Sequence, residues 1–207
     1  MTSLTRRHLL TAGTALAGAA LLPGSALAVE LAEFNKAPDL GEMTLGAEQS
    51  KVTLTEYASA TCPHCAAFHA ETFGKLKAEY LDTKKIKFVF REFPLNDAAL
   101  AAFMIARAAP KDSYFPLIDA YFTTLQTWAA GSWVDGLFNI AKQAGFTREK
   151  FDATLKDEAL AKGILAIRDA GAKFGVSGTP SFFINGEIYK GERGFEDFKK
   201  VIDPLLA

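Results

Sequence analysis

Sulfur-containing and imidazole side chains are scarce in this sequence of 207 residues, which has two cysteines, three methionines and three histidines. Two cysteines set two residues apart do not build a disulfide scaffold, because so short a loop contributes only roughly 2 kcal/mol before strain is subtracted. The sequence also has no methionine cluster and no second tract rich in cysteine and histidine, which argues against a copper-delivery protein. Its chemistry is therefore interpreted from a single pair of thiols.

Long apolar runs and an excess of positive charge are missing as well. The run from Leu9 to Leu22 is too short and too rich in glycine and alanine to predict a membrane span, and no other stretch approaches one. The first 28 residues hold two of the 23 basic residues and none of the 24 acidic ones, so the remainder has a net charge near −3. That balance gives no reason to expect nucleic acid or an anionic membrane as a partner.

The first 28 residues resemble a cleaved export signal. Two arginines precede the apolar run, and a tripeptide of small residues suited to cleavage ends at Ala28. The string at 5–10 resembles a twin-arginine signal, and an ordinary secretory signal that contains two arginines is the alternative. Both routes predict a periplasmic protein, in a compartment where disulfides persist.

The two cysteines occupy the motif Cys62-Pro63-His64-Cys65, between a predicted strand and a predicted helix. Alternating β-branched and aromatic residues predict the strand over 52–58. Apolar residues at helical spacing predict the helix over 63–81. A close pair of thiols at such a junction is suited to disulfide exchange, in which one thiol attacks and the other resolves.

The position of each residue in the motif predicts its role. Thr61 is expected to cap the helix, which places Cys62 at the positive helix end, where a thiolate is favoured. A protonated His64 would add a positive charge within reach of that sulfur. Cys65 lies one turn further in, where burial keeps it a thiol until it resolves a mixed disulfide. The redox-active Cys62–Cys65 disulfide then needs no further cofactor.

Beyond this helix the pattern predicts a second strand over 86–93, a helical block over 96–174, and a hairpin at 181–190 built around an Asn-Gly turn. A last helix over 195–206 is expected to break near Pro204. Inside the block, helices are predicted at 97–109, 114–128, 131–144, 147–155 and 157–173. This order predicts an α/β sheet domain interrupted by an all-helical insertion.

These features resemble the thioredoxin superfamily, and more closely its DsbA-like thiol:disulfide oxidoreductases. The motif at 61–65, the helical insertion and the string Gly178-Thr179-Pro180-Ser181-Phe182 carry the resemblance, which extends from about Gly41 to Leu206. It implies a thioredoxin-like fold with an inserted all-helical domain. The domain boundaries that follow are an export signal at 1–28, an N-terminal extension at 29–40, a thioredoxin-like domain at 41–95 and 175–207, and the insertion at 96–174.

The resemblance also implies roles for residues outside the motif. Pro180 matches the family's cis-proline beside the disulfide, and Thr179 would offer backbone groups to an extended substrate peptide; an ordinary turn proline is the alternative. Glu56 matches a buried acid beneath the active site, suited to accept a proton from Cys65. Strand alternation points its side chain inward, and a solvent-facing glutamate at the strand end is the alternative.

Three other residues are interpreted more simply. His69 lies four residues after Cys65 on the same helix face, so two cysteines and two histidines can in principle chelate zinc. The spacing of the cysteines in an exported strand–helix unit favours a redox pair over a metal site. Arg91 and Glu92, near the end of the second strand, are interpreted as a structural ion pair.

Together these features predict an exported, monomeric enzyme that introduces disulfides into unfolded or newly exported cysteine-containing proteins. The resemblance implies a DsbB-like membrane protein as its reoxidant. A disulfide reductase or isomerase of the same fold is the first alternative, and a metal-binding module that uses the same thiols is the second.

Overall fold

A five-stranded mixed sheet forms the centre of the computed structural model, which describes residues 31–207; the predicted export signal lies outside the described residues. The strand order is β1-β3-β2-β4-β5. β2 pairs in parallel with β3 and antiparallel with β4, while β1 and β5 pair antiparallel with β3 and β4 as the two edges. The strands are β1 (Met43–Gly46), β2 (Thr53–Ala58), β3 (Lys87–Glu92), β4 (Ser181–Ile184) and β5 (Glu187–Tyr189).

The helix that follows β2 changes its winding along its length. It begins α-helical at Pro63–Phe68, passes through a π-helical turn at His69–Phe73 and a short α-helical stretch at Gly74–Leu76, and ends with a π-helical turn at Lys77–Leu81. We call this continuous run α1; its extent agrees with the sequence prediction. π-Helical turns are rare and are found frequently at functional sites.

Seven α-helices follow α1 along the chain, and six of them form the helical block between β3 and β4. They are α2 (Asp97–Ala108), α3 (Tyr114–Thr123), α4 (Leu125–Trp128), α5 (Trp133–Ala141), α6 (Arg148–Thr154), α7 (Glu158–Lys173) and, after the sheet is complete, α8 (Phe195–Leu206). The predicted order of strands, helical block, hairpin and last helix is therefore observed.

Two helix predictions were wrong in detail. The single helix predicted over 114–128 is divided at Thr124, whose backbone leaves the helical region and whose hydroxyl donates to the carbonyl of Ala120 at 2.6 Å. Such back-bonding bends helices. Pro204 does not break α8, which continues to Leu206. A proline so close to the end of a helix removes only one backbone hydrogen bond.

Both faces of the sheet are covered. Leu54 and Phe90 face a core shared with α1, α8 and the helical block. Tyr57 and Phe183 face the other side, where they pack with Ile167 of α7. Alternation along the strands produces this division, since successive side chains point to opposite faces.

Residues before β2 also contact the sheet. Residues 31–34 are helical, and the ring of Phe34 lies 4.7 Å from that of Phe183, centroid to centroid. β1 was not predicted from the sequence, because four residues at the edge of a sheet carry little alternation. No helix within 31–207 is both long and apolar enough to cross a membrane.

Arg91 and Glu92 are both buried, but they do not pair with each other. Arg91 donates to Glu42 Oε1 at 2.7 Å, and Glu92 Oε2 accepts from Arg107 at 2.9 Å. Adjacent strand residues point to opposite faces, so each finds its partner on a different side of the sheet.

Candidate active site

Cys62 lies where the loop after β2 enters α1. It is the N-cap residue, with an extended backbone (φ −87°, ψ 118°), and Pro63 follows at the start of the helix. Thr61, which was predicted to be the cap, instead directs its hydroxyl to Oδ1 of Asn96 at 3.3 Å. The N-cap position places the sulfur of Cys62 beside the backbone N–H groups of the first turn, at the positive end of the helix dipole.

The loop before β4 contacts Cys62 from the other side. The Thr179–Pro180 peptide bond is cis, and Pro180 is buried. The thiol of Cys62, which is 5% exposed, donates to the carbonyl oxygen of Thr179 at 3.2 Å. The hydroxyl of Thr179 is buried and has no hydrogen-bond partner among the described residues. It is therefore free to donate to Cys62 when that sulfur becomes an acceptor on ionisation.

Hydrogen bonds lower the pKa of Cys62 to about 5. The thiol of Cys65 makes the largest contribution, burial acts in the opposite direction, and the Thr179 hydroxyl and the backbone N–H groups of Cys65 and His64 lower the pKa further. At neutral pH, Cys62 is accordingly a thiolate, which is the nucleophilic form of cysteine.

His64 is exposed, and its contribution to the acidity of Cys62 comes from its backbone N–H. From the sequence, that contribution was expected to come from the charge of the imidazole. A backbone donor at a helix N-terminus acts whatever the side chain, so the role of the ring remains a prediction.

Cys65 is fully buried one turn further along α1. Burial raises the pKa of its thiol well above the ordinary range, and the hydrogen bond to Cys62 and the negative charge of Glu56 raise it further. The pKa values of the two thiols in this motif are thus shifted in opposite directions. Cys62 is ready to attack, and Cys65 remains protonated.

Glu56 is fully buried on the face of the sheet that carries α1, so it does not face solvent. Its Oε2 lies 3.0 Å from Nε2 of His69, at the start of the first π-helical turn, and its Oε1 has no partner within the described part of the chain. From its spacing in the sequence, His69 was predicted only as a potential zinc ligand, and its contact with Glu56 was not predicted. A contact between a strand and a helix cannot be read from spacing along either one.

The structure does not assemble the zinc site considered above. Within residues 31–207 no group of three or more histidine, cysteine, aspartate or glutamate side chains is placed to hold a metal ion. His69 is directed to Glu56, and the ring of His64 is on the surface.

Comparisons with known proteins agree with this geometry. A family model described as Thioredoxin matches residues 39–204. A protein of Rickettsia bellii named putative protein-disulfide oxidoreductase is 35% identical over 153 residues, which are 72% of this chain and 58% of the relative. The chain thus spans less than two thirds of the length of that relative.

Solved structures extend the comparison. α-DsbA1 of Wolbachia pipientis is 28% identical, with a TM-score of 0.75 over 84% of this chain and 95% of the other. A structure titled protein-disulfide isomerase, from Novosphingobium aromaticivorans, is 28% identical, with a TM-score of 0.67 over 83% of this chain and 99% of the other. The predicted thioredoxin-like fold with a helical insertion is confirmed.

Proposed function

The chain belongs to the thioredoxin family and is DsbA-like, and from this premise we propose that it is a thiol:disulfide oxidoreductase that introduces disulfides into other proteins through Cys62 and Cys65. In each cycle a substrate thiolate attacks Sγ of Cys62, and Cys65 leaves as the thiolate and takes up a proton. A second substrate thiolate then attacks the substrate sulfur of the mixed disulfide. The substrate leaves oxidised, with Cys62 as a thiolate.

The low pKa of Cys62 is the feature that supports oxidation of the substrate, with electrons passing from the substrate thiols to the Cys62–Cys65 disulfide. A thiolate stabilised in the reduced protein makes the reduced form favourable and the disulfide oxidising (DsbA is the established example of this behaviour). A thiolate is also the better leaving group when the mixed disulfide is released to substrate.

The surroundings of Cys62 suit an unfolded substrate. Leu95 is 54% exposed and belongs to the segment beside the active-site loop, where its N–H donates to the hydroxyl of Ser59 at 3.4 Å. An exposed leucine on the segment that contacts the active-site loop offers an apolar contact to a chain that has not yet buried its own apolar side chains. Thr179 and Pro180 are proposed to hold an extended peptide across the sulfur.

The cellular setting is also proposed. The signal-like residues 1–28 support export to the periplasm, with cleavage after about Ala28. We propose that the protein acts there as a monomer on newly exported, cysteine-containing chains. A DsbB-like membrane protein would reoxidise the pair, and no separate cofactor is required.

The redox equilibrium of the Cys62–Cys65 pair with glutathione tests the direction. If the protein is an oxidase, its cysteine pair should be largely reduced in a glutathione buffer that leaves thioredoxin oxidised. The reduction potentials of DsbA and thioredoxin differ by roughly 150 mV, which leaves room for such a buffer. A pair that stays oxidised in that buffer would contradict the proposal and assign the protein to the reductases.

An isomerase of the same fold is the second candidate, favoured by the likeness to the protein-disulfide isomerase of Novosphingobium aromaticivorans. Refolding of a reduced protein and of a scrambled one, each with several disulfides, separates the two activities. An oxidase accelerates the first reaction and leaves the second slow. Elemental analysis of the purified protein tests the metal-binding alternative, which requires a stoichiometric metal.

A further inference from the structure

Thr61 and Asn96 join the active-site loop to the start of the helical block. Thr61 was predicted to cap α1, but its hydroxyl donates to Oδ1 of Asn96 at 3.3 Å. The same oxygen accepts from the backbone N–H of Ala99 at 2.9 Å, so Asn96 is the N-cap residue of α2. One side chain thus caps a helix of the insertion and also binds the loop that precedes Cys62.

Ser59 contacts both cysteines through its backbone. Its carbonyl oxygen accepts from the N–H of Cys62 at 3.0 Å, and its N–H donates to the sulfur of Cys65. Its buried hydroxyl points to a different segment, where it accepts from the N–H of Leu95 at 3.4 Å and lies 3.3 Å from the hydroxyl of Thr61. Ser59 therefore contacts the reactive pair with its backbone and the segment of Leu95 with its side chain.

The proton of each hydroxyl in this group can be assigned. Oδ1 of Asn96 only accepts, so the hydroxyl of Thr61 donates to it. A hydroxyl has one proton, so Thr61 in turn accepts from Ser59, whose oxygen accepts from the N–H of Leu95. We call these four residues the hydroxyl network. Its hydrogen bonds run in one direction and strengthen one another, so the loss of either hydroxyl interrupts it.

Leu95 has a fixed backbone position although its side chain is exposed. Pro94 before it is buried, and Asn96 after it caps α2. The side chain is 54% exposed, the largest exposed fraction among the large apolar side chains of the described residues. The other exposed apolar side chains line a separate cavity at β5 and α8; they are Ile188, Val201 and Leu205. An apolar side chain on a fixed backbone is suited to bind a substrate, because little conformational entropy is lost on binding.

We propose that Leu95 binds an apolar side chain next to the substrate cysteine, and that the hydroxyl network holds this leucine in place relative to Cys62. The proposal rests on the proposed exchange chemistry of the cysteine pair. Ser59, Thr61 and Asn96 are then positioning residues, which act on the substrate only through that leucine. A substrate bound there presents its thiolate to the disulfide in a fixed orientation, and misplacement lowers the rate even when the reacting groups are unchanged.

The proposal names a class of substrate. Cysteines flanked by apolar residues, in chains that have not yet buried them, should react faster than cysteines flanked by polar residues. A small thiol such as glutathione has no apolar side chain to place on Leu95, so its reaction should not depend on the hydroxyl network.

Two synthetic peptides with one cysteine each test the proposal: one has leucine on both sides of the cysteine, and the other has serine. Each is mixed with the oxidised protein, and the loss of the Cys62–Cys65 disulfide is followed by acid quenching and mass spectrometry. The ratio of the two rates is the apolar preference, in which general changes in the reactivity of the disulfide cancel. We expect the unaltered protein to prefer the leucine peptide and Leu95→Ser to lose the preference.

Thr61→Val keeps the shape of the side chain and removes the hydroxyl. It should reduce the apolar preference by roughly 2- to 10-fold, which corresponds to the net contribution of one hydrogen bond. Its rate with glutathione should be unchanged. Thr61→Ser keeps the hydroxyl and should restore the preference.

Asn96→Ser interrupts the network from its other end. Serine still caps α2, but its side chain is too short to reach Thr61. Asn96→Ser should therefore lower the preference as much as Thr61→Val does, and the double variant should lower it no further, because both substitutions remove the same hydrogen bond. Ile188→Thr, which removes an exposed apolar side chain outside the network, is the control and should leave the preference unchanged.

Each outcome separates the two proposals. If neither peptide reduces the disulfide of the unaltered protein, the exchange function itself is wrong. If both peptides react equally fast, or Leu95→Ser keeps the preference, Leu95 is not the substrate contact. If Leu95→Ser loses the preference but Thr61→Val and Asn96→Ser keep it, the hydroxyl network does not position the leucine. If Thr61→Val does not fold, Asn96→Ser alone decides this last point.

Discussion

Cys62 and Cys65 lie one helical turn apart, and the pKa values of their thiols are shifted in opposite directions. The pKa of Cys62 is lowered to about 5, and that of Cys65 is raised. The thiol of Cys65 itself supplies the largest stabilisation of the Cys62 thiolate. Each cysteine therefore depends on the protonation state of the other, and replacing either one changes its neighbour.

Cys65→Ser should accumulate mixed disulfides with substrate or glutathione, because no thiol remains to resolve them. Cys62→Ser should not, since the buried Cys65 is protonated and inaccessible. Mass spectrometry after incubation with oxidised glutathione measures both. Preferential alkylation of Cys65 in the reduced protein near neutral pH would show that the roles are reversed.

Thr179→Val should raise the pKa of Cys62, because it removes the side-chain hydroxyl that stabilises the thiolate and keeps the carbonyl that faces the sulfur. A rise of about one unit corresponds to about 1.4 kcal/mol. Titration of the thiolate absorbance measures it. Thr179→Ser, which keeps the hydroxyl, is the control; equal values for both variants would mean that the hydroxyl is not used.

His64→Ala should raise the pKa of Cys62 by less than about one unit. The exposed ring is screened by water and salt, and the substitution keeps the backbone N–H that lowers the pKa. The same titration checks this. A larger rise would mean that the imidazole charge, and not the backbone, controls the sulfur.

How far the sequence predicts this site depends on the range of each contact. The cysteine motif, the helix behind it and the strand before it are local, and apolar spacing was sufficient to predict them. The partner of Glu56 was not predictable, because His69 reaches it from another element 13 residues away, next to a π-helical turn that has no apolar signature. The predicted ion pair between Arg91 and Glu92 was wrong for a simpler reason, since the side chains of adjacent strand residues point to opposite faces of the sheet.

The free energy of unfolding of the reduced protein should rise with pH between about 5 and 9. The pKa of Cys62 is about 5 in the folded protein and 9.0 in an ordinary cysteine, so the unfolded chain binds more protons in this window. The stabilisation is complete above the unfolded value and is lost as the pH falls through about 5. Above about 9 the contribution of Cys65 has the opposite sign, because its folded pKa is raised and only the unfolded chain ionises.

Denaturant melts of the reduced and oxidised proteins across this pH range check the prediction. The oxidised form has neither thiol and should lack both trends. The difference in the free energy of unfolding between the two forms therefore reports the contributions of the two thiols. Each unit of pKa shift corresponds to about 1.4 kcal/mol. If the oxidised form is the more stable at neutral pH, the disulfide is not an oxidant and a reductase is favoured.

Gly171→Ala should destabilise the protein by about 1–3 kcal/mol, the usual cost of overpacking. A Cβ at this position of α7 would lie 2.5 Å from the ring of Tyr57, which is fully buried and cannot move away. Gly74→Ala in α1 is the control, since its Cβ would meet nothing within 4 Å. It should stabilise by about 0.5–1 kcal/mol through the lower entropy of the unfolded chain. Equal melting temperatures of the two variants would mean that α7 does not pack closely against Tyr57 at Gly171.

The contact between Cys62 and Thr179 joins residues that are 117 positions apart. During synthesis at roughly 5–20 residues per second, the cysteine pair leaves the ribosome roughly 10 s before the loop that touches it. Until then the Thr179 hydroxyl is absent and the sheet lacks its last two strands, so the nascent thiols lack part of the environment that sets their acidity. Cys62 should therefore be less acidic in the nascent chain than in the complete protein, and in stalled nascent chains the alkylation of Cys62 at low pH should become faster once residue 180 has emerged.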